Sequence, residues 1–337
     1  MACLLAMKPL HLIPLIALMS LSAGPIAAQD GKKQAPPPAP SPGEIAAAAP
    51  ATDWKDIAAD DLLVMTLAPG TEGKPRKVLI QLMPAPFSQG WVSNIRTFAK
   101  AHYWDGLTIY RVQDNYVTQW GDPEDDDAKA RKKPDGLKEM AESDYTAPLS
   151  SAEKTELADV YNLGRPKPTK AHEVFVARDP YATIDIFKAG WPIATQQNAK
   201  WPIHCYGAVG VARGQRPNTG DGSTLYAVIG HAPRHLDRNI ALAGRVIEGM
   251  EFLSSLPRGP NAQGFYEDAA MRVPIVSVHL ASELPATERP HVQYLSTESA
   301  TFLKYADARA NRRDPFFLVP AGGADICNIP VPIRRKP

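Results

Sequence analysis

Apolar positions in this chain fall into short runs bounded by glycine, proline or charge, the punctuation of strands rather than of long helices. Residues 60–67 and 77–83 read as two strands joined by a polar turn at 71–75, a hairpin. Pro84-Ala85-Pro86 stops the second strand. Trp91, Val92, Ile95, Phe98, Ala99 and His102 then recur at helical spacing, which predicts a helix with one apolar face. Asp105-Gly106 marks the turn out of it. Further strands are predicted at 107–112, 116–120, 205–212, 224–229, 241–247 and 273–280, and helices at 152–161, 249–256 and 297–309. Strands dominate, with only about two helices in the core, so a closed sheet that leaves no exposed edge is the expected fold.

Composition changes this picture at the flanks. Proline supplies 33 of 337 residues, about twice the usual ~5%. That surplus argues against a helical bundle, because proline lacks the helix N–H donor and clashes in helix interiors. Residues 1–28 read as an export signal: Lys8 is the only charge, an apolar run follows from Pro9 through Ala23, and Ile26-Ala27-Ala28 ends it with small residues. Cleavage is expected after Ala28, which places the mature protein outside the cytoplasm, in the periplasm. No later run reaches 18 apolar residues, so no membrane span is expected after cleavage. Residues 29–53 are expected to form a Pro/Ala-rich tether too poor in bulk to bury a core. The folded domain is placed at 54–284, with a C-terminal extension at 285–337.

Within that domain, 123–203 reads as a long insertion with little regular structure. It is punctuated by seven prolines between 134 and 202. Phe187, Trp191 and Trp201 argue against disorder in its second half, and the insertion is expected to pack along the barrel and narrow or extend a groove. Two cysteines remain after signal cleavage. An oxidising compartment permits a Cys205–Cys327 disulfide, and two buried thiols are the alternative.

Charge and motif searches exclude several chemistries. A formal net charge of +1 gives no global field to attract nucleic acid. No Cys-x-x-Cys or His-Glu-x-x-His metal pattern, nucleophile elbow or glycine-rich phosphate loop occurs, so neither a metal nor a cofactor is expected. The acidic run 122–127 lacks EF-hand spacing and reads as a solvated loop. A hydrolase built on Ser223, His231 or His235, and Asp237 has no mechanistic spacing to support it.

The informative stretch runs from Tyr103-Trp104-Asp105-Gly106 through Arg111-Val112 to Tyr116, Gln119 and Gly121-Asp122. It resembles the central motif of the cyclophilins, Y-(D/x)-G-x-x-F-H-R-V-I-x-x-F-M-x-Q-x-G-D. Gly207 to Arg213 resembles the family's G-x-x-x-M-A-N strand, and Pro217 to Ser223 resembles P-N-T-N-G-S with one residue added. Leu236-Asp237, followed by Gly244 to Met250, resembles L-D…F-G-x-V-x-x-G-M. The blocks keep the family's order across about 60–280.

The resemblance implies an eight-stranded antiparallel barrel capped by two helices. It also implies peptidyl-prolyl cis/trans isomerase activity, with proline-containing polypeptides, here exported ones, as partners. By position, Arg111 would be the catalytic donor, with Gln119 holding the substrate backbone and Tyr116 beside them. Tyr116, Val117, Tyr226, His235 and Leu236 would surround the proline, and Ala212 and Arg213 would lie along the peptide. A strand arginine paired with Asp105 or Asp122 is the plain alternative for Arg111. Several positions depart from the family: Ile109-Tyr110 stands for Phe-His, Tyr116 and Val117 for Phe and Met, His235 for Trp, and Ile240 near the late pocket His. These changes predict activity below a typical cyclophilin's. The competing reading is a proline-peptide binding module, or chaperone, with little or no turnover.

Overall fold

The computed structural model describes residues 38–70, 73–124, 126, 128–162 and 179–336, and residues from Ala39 on form one unit. The expected export signal lies outside the described residues. No helix among them is long and apolar enough to cross a membrane.

In chain order, α1 (Pro42–Ala47) and β1 (Trp54–Asp56) precede β2 (Leu62–Leu67), β3 (Arg76–Leu82), α2 (Gln89–Lys100), β4 (Thr108–Val112) and β5 (Val117–Gly121). Next come β6 (Ala147–Pro148), α3 (Ser151–Asn162), β7 (Ile184–Lys188), β8 (Trp191–Gln196) and β9 (Ala199–Pro202). Strands β10 (Ala208–Val211), β11 (Leu225–Val228) and β12 (Leu242–Glu248), short α4 (Glu251–Ser254), and β13 (Val273–Leu280) follow. The chain ends with β14 (Val292–Leu295), α5 (Ala300–Ala310) and β15 (Ile333–Arg335).

Eight strands close an antiparallel barrel in the order β10-β11-β5-β4-β13-β2-β3-β12; the closed sheet follows the strand runs of the sequence, and the eight-stranded antiparallel form is the one the family resemblance implied. Helix α2 lays Trp91, Val92, Ile95, Phe98 and Ala99 on the barrel core. It ends at Lys100. His102, expected on the apolar face, instead takes a left-handed φ of 52° and is exposed. Strand β2 reads as a solid apolar run because both its faces are covered. Leu63, Met65 and Leu67 enter the barrel core, while Leu62 and Val64 pack outside it with Leu79, Ala281 and Val292. The outer partner Val292 comes from the C-terminal extension.

The flanks are more ordered than composition suggests. The expected tether at 29–53 is folded where it is described: Ser41 caps α1 in a capping box with Glu44, and Pro42 sits at the helix start. Ala49 and Trp54 then join a second core with Phe187, Trp201, Leu295 and Phe302. A Pro/Ala segment can be structural because α1 packs against another element, α5, where small side chains permit close approach. The insertion corrects likewise. Its described part carries α3 and a four-stranded sheet, β6-β9-β8-β7. The second core therefore joins segments from before, within and after the barrel sequence. Cys205 and Cys327 are bonded as a disulfide, with 5.1 Å between their Cα atoms, tying the β9–β10 connection to the extension.

Candidate active site

Strands β4 and β5 put Arg111 opposite Gln119, just after a register shift between Ile109 and Arg111. Adjacent antiparallel strands bring these side chains together although eight residues separate them. The Arg111 Nη1 donates to Gln119 Oε1 at 2.8 Å, and Gln119 Nε2 donates to the Tyr110 hydroxyl at 2.6 Å. The Nε donates to the Gln263 carbonyl at 2.7 Å, and Nη2 donates to Gln113 Oε1. Arg111 lies 5.0 Å from the Phe265 ring centroid and 5.9 Å from that of Tyr116. Burial pulls its pKa down from the ordinary guanidinium value, partly countered by Tyr116 and Tyr110. A guanidinium still keeps its proton at neutral pH.

Two consequences follow. No ion pair to Arg111 exists among the described residues. Asp105 instead accepts from the Val278 N–H, and Asp122 accepts from the Arg131 N–H. The paired-arginine alternative is thus set aside. Second, a guanidinium has five N–H groups and three are used among the described residues, which leaves one hydrogen on each terminal nitrogen for a further acceptor.

The clamp depends on the 259–266 segment, which runs beside β4. Val112 N donates to Gly264 O, and Gly259 N to Val112 O. Gly264 has φ +79°, and a Cβ there would sit 2.5 Å from the Gln113 Cα. Only glycine permits that approach.

Tyr116 stacks on His235, with centroids 6.2 Å apart and planes 13° apart. Burial raises the Tyr116 pKa, and the nearby Arg111 charge opposes that rise. Val117, Tyr226 and Leu236 are buried in the barrel core cluster. Tyr226 lies across Gly210, where a Cβ would fall 2.2 Å from its hydroxyl oxygen. Beyond Gln119 the surface opens into a groove of about 580 Å³ whose walls include Ala212, Arg213 and Thr224. Lys133 and Met140, from the first half of the insertion, also line it. That arm is anchored by Thr219 Oγ1 donating to Met140 O at 2.8 Å, by Lys133–Asp221 at 2.7 Å and by a two-bond Arg216–Glu142 pair.

Several members of the site escaped the sequence reading. Gln113 had a signal: it stands two residues after Arg111, on the same face of an extended chain. His204 had none. Its Nδ1 lies 2.9 Å from Asp237 Oδ1 and its Nε2 3.2 Å from the Tyr226 hydroxyl. Asp237 also accepts from Arg234 Nε at 2.7 Å, and Arg234 continues to Asp179 and Asp185 of the insertion. Burial would raise the Asp237 pKa, but the His204 and Arg234 bonds outweigh it and hold it below the usual carboxylate range. These bonds also dispose of the hydrolase constellation. Asp237 is committed to His204 and Arg234, and the Ser223 hydroxyl donates to Asp221 Oδ1 at 2.6 Å.

Residues 91–280 match the family model described as cyclophilin type peptidyl-prolyl cis-trans isomerase/CLD. No curated protein matches the sequence. Among solved structures, the chain is similar to the cyclophilin AquaCyp293 from Hirschia baltica, with a TM-score of 0.59 and 22% identity over 83% of this chain and 92% of that one. That likeness shows the fold. A Cryptosporidium parvum cyclophilin type isomerase crystallised with the dipeptide Ala-Pro gives a TM-score of 0.34 at 10% identity, over 65% of this chain and 97% of that one. With more than half of the sequence inside the family model and the closed barrel around it, the chain belongs to the cyclophilin-type peptidyl-prolyl cis-trans isomerase family.

Proposed function

We propose that this isomerase works by non-covalent stabilisation of the twisted amide, with Arg111 as the donor, on proline-containing segments of exported proteins. Rotation about a peptide bond meets a barrier of about 18–20 kcal/mol held up by C–N resonance. As the bond twists, the prolyl nitrogen regains its lone pair, and a positioned N–H donor favours that state over either planar isomer. The reading needs no nucleophile, metal or acid–base pair.

One observation carries it: among the described residues Arg111 is fixed by three acceptors, none of them a carboxylate, which leaves one hydrogen on each terminal nitrogen. A carboxylate partner would cancel the charge that the twisted state uses. Glutamine and carbonyl oxygens orient the group and leave the charge in place. Tyr116, Val117, Tyr226, His235 and Leu236 would hold the proline ring, Gln119 the substrate backbone, and Ala212 and Arg213 the residues before it. The Cys205–Cys327 disulfide favours an oxidising compartment, in keeping with export to the periplasm through the 1–28 signal.

The test is prolyl exchange on an X-Pro peptide. Wild type accelerates exchange, and Arg111→Ala loses the acceleration while still binding peptide. Binding without acceleration by the wild type would decide for the binding-module reading.

A further inference from the structure

Outside the groove, three metal-ligating side chains meet at the rim where α2 gives way to β4. The geometry points to a divalent-cation site of the zinc class formed by His102, Asp105 and His279. One donor atom from each residue lies within 4.8 Å of the other two. His102 Nδ1 stands 3.3 Å from Asp105 Oδ2. Ligand bonds of about 2.0–2.2 Å at tetrahedral angles set neighbouring donors about 3.3–3.5 Å apart, so that pair already has the required span. The His102 and His279 rings meet edge to face with centroids 5.0 Å apart.

The donors sit on braced backbone. His102 is held in the left-handed region (φ 52°), its N–H donating to Ala99 O and its carbonyl accepting from Asp105 N. The loop carrying Asp105 is tied to β13 through Gly106 N to Ile275 O and Ile275 N to Leu107 O. His279 comes from that strand, in register with Val64 of β2. Asp105 Oδ1 accepts from the Val278 N–H at 2.9 Å, which turns its other oxygen toward His102. Such outer-shell support orients a ligating carboxylate. Arg131, Lys132 and Lys133 line a surface pocket with His102; Arg131 is bonded to the backbone oxygens of Tyr103 and Asp105, and Lys133 is paired with Asp221.

Two imidazoles with one carboxylate form a borderline nitrogen/oxygen set. It suits Zn²⁺ and rejects Ca²⁺, which takes six or more oxygens. The His102 side chain is 57% exposed, so a fourth position is open to water. A bound ion would clip the end of α2 to β13. Sequence spacing could not reveal the site, because His279 lies far along the chain from Asp105. None of the three residues belongs to the proline groove.

The test is calorimetric titration of Zn²⁺ into chelator-treated full chain, with Ca²⁺ in parallel and thermal unfolding as a second readout. The expected result is one saturable equivalent of Zn²⁺, no Ca²⁺ binding, and a zinc-dependent rise in Tm. Both His102→Ala and His279→Ala should weaken binding at least ~10-fold, while His291→Ala leaves it unchanged. Folding of each variant is checked by unaltered prolyl exchange without metal. No saturable binding, or equal binding by folded His279→Ala, would overturn the proposal.

Discussion

Replacing Arg234 by methionine probes how the insertion is joined to the barrel. Arg234 donates to Asp179 and, at 2.7 Å, to Asp237, and its Nη1 lies 3.9 Å from Asp185. Side-chain exposure is 4% or less for all four residues, so water screens little of this. Removing one partner from a buried ion pair costs about 3–5 kcal/mol, because the remaining charge is stranded. Here Asp237 keeps His204, and Asp185 has an outlet. Burial, then the hydrogen bond and charge of Asp179, already raise the Asp185 pKa, so proton uptake relieves part of the strain. We therefore expect the lower end, about 3 kcal/mol at pH 7, read as a fall in urea midpoint with unchanged m. Adding Asp185→Asn should return ~1 kcal/mol or more, since coupled residues are not additive. A loss below ~1 kcal/mol, or strict additivity with Asp185→Asn, would refute the claim that this cluster holds insertion and barrel together.

Three further outcomes are expected. Gly264→Ala forces a side chain into φ +79° and against Gln113, releasing the Gln263 carbonyl from Arg111; it should cost ~1–3 kcal/mol and lower isomerase turnover, and unchanged turnover would contradict the clamp. Reducing the Cys205–Cys327 disulfide, which spans 122 residues, should cost ~2–4 kcal/mol in urea melts. The Asp185 pKa is raised in the folded state, so its stabilising share is full below the ordinary carboxylate range and shrinks as pH rises toward the folded value. Asp185→Asn should flatten the decline in stability above about pH 4, and a parallel pH profile would count against that assignment.

Much of the barrel was legible because each strand is a local signal: an apolar run closed by glycine or proline. Arg111 and Gln119 were legible for a related reason, since a tight β4–β5 connection turns nearness in sequence into nearness in space. The rest depends on long-range packing. Residues 42–53 carry little bulk beyond Ile45 and become structural only against the second core that the insertion and the extension help to build. The His204–Asp237–Arg234 chain gathers residues from the insertion end, a loop and a 3-10 turn, with no shared spacing to betray it. Gln263 contributes a backbone carbonyl, which no residue type announces.

The central claim is that an uncancelled, clamped Arg111 drives catalysis. Exchange spectroscopy on one X-Pro peptide, with wild type and Arg111→Ala measured at equal saturation, reads binding and exchange from the same sample. The account predicts exchange at least ~10²-fold slower for the variant, as for loss of a single transition-state donor, with peptide affinity largely kept. Equal exchange rates for the two proteins would contradict it.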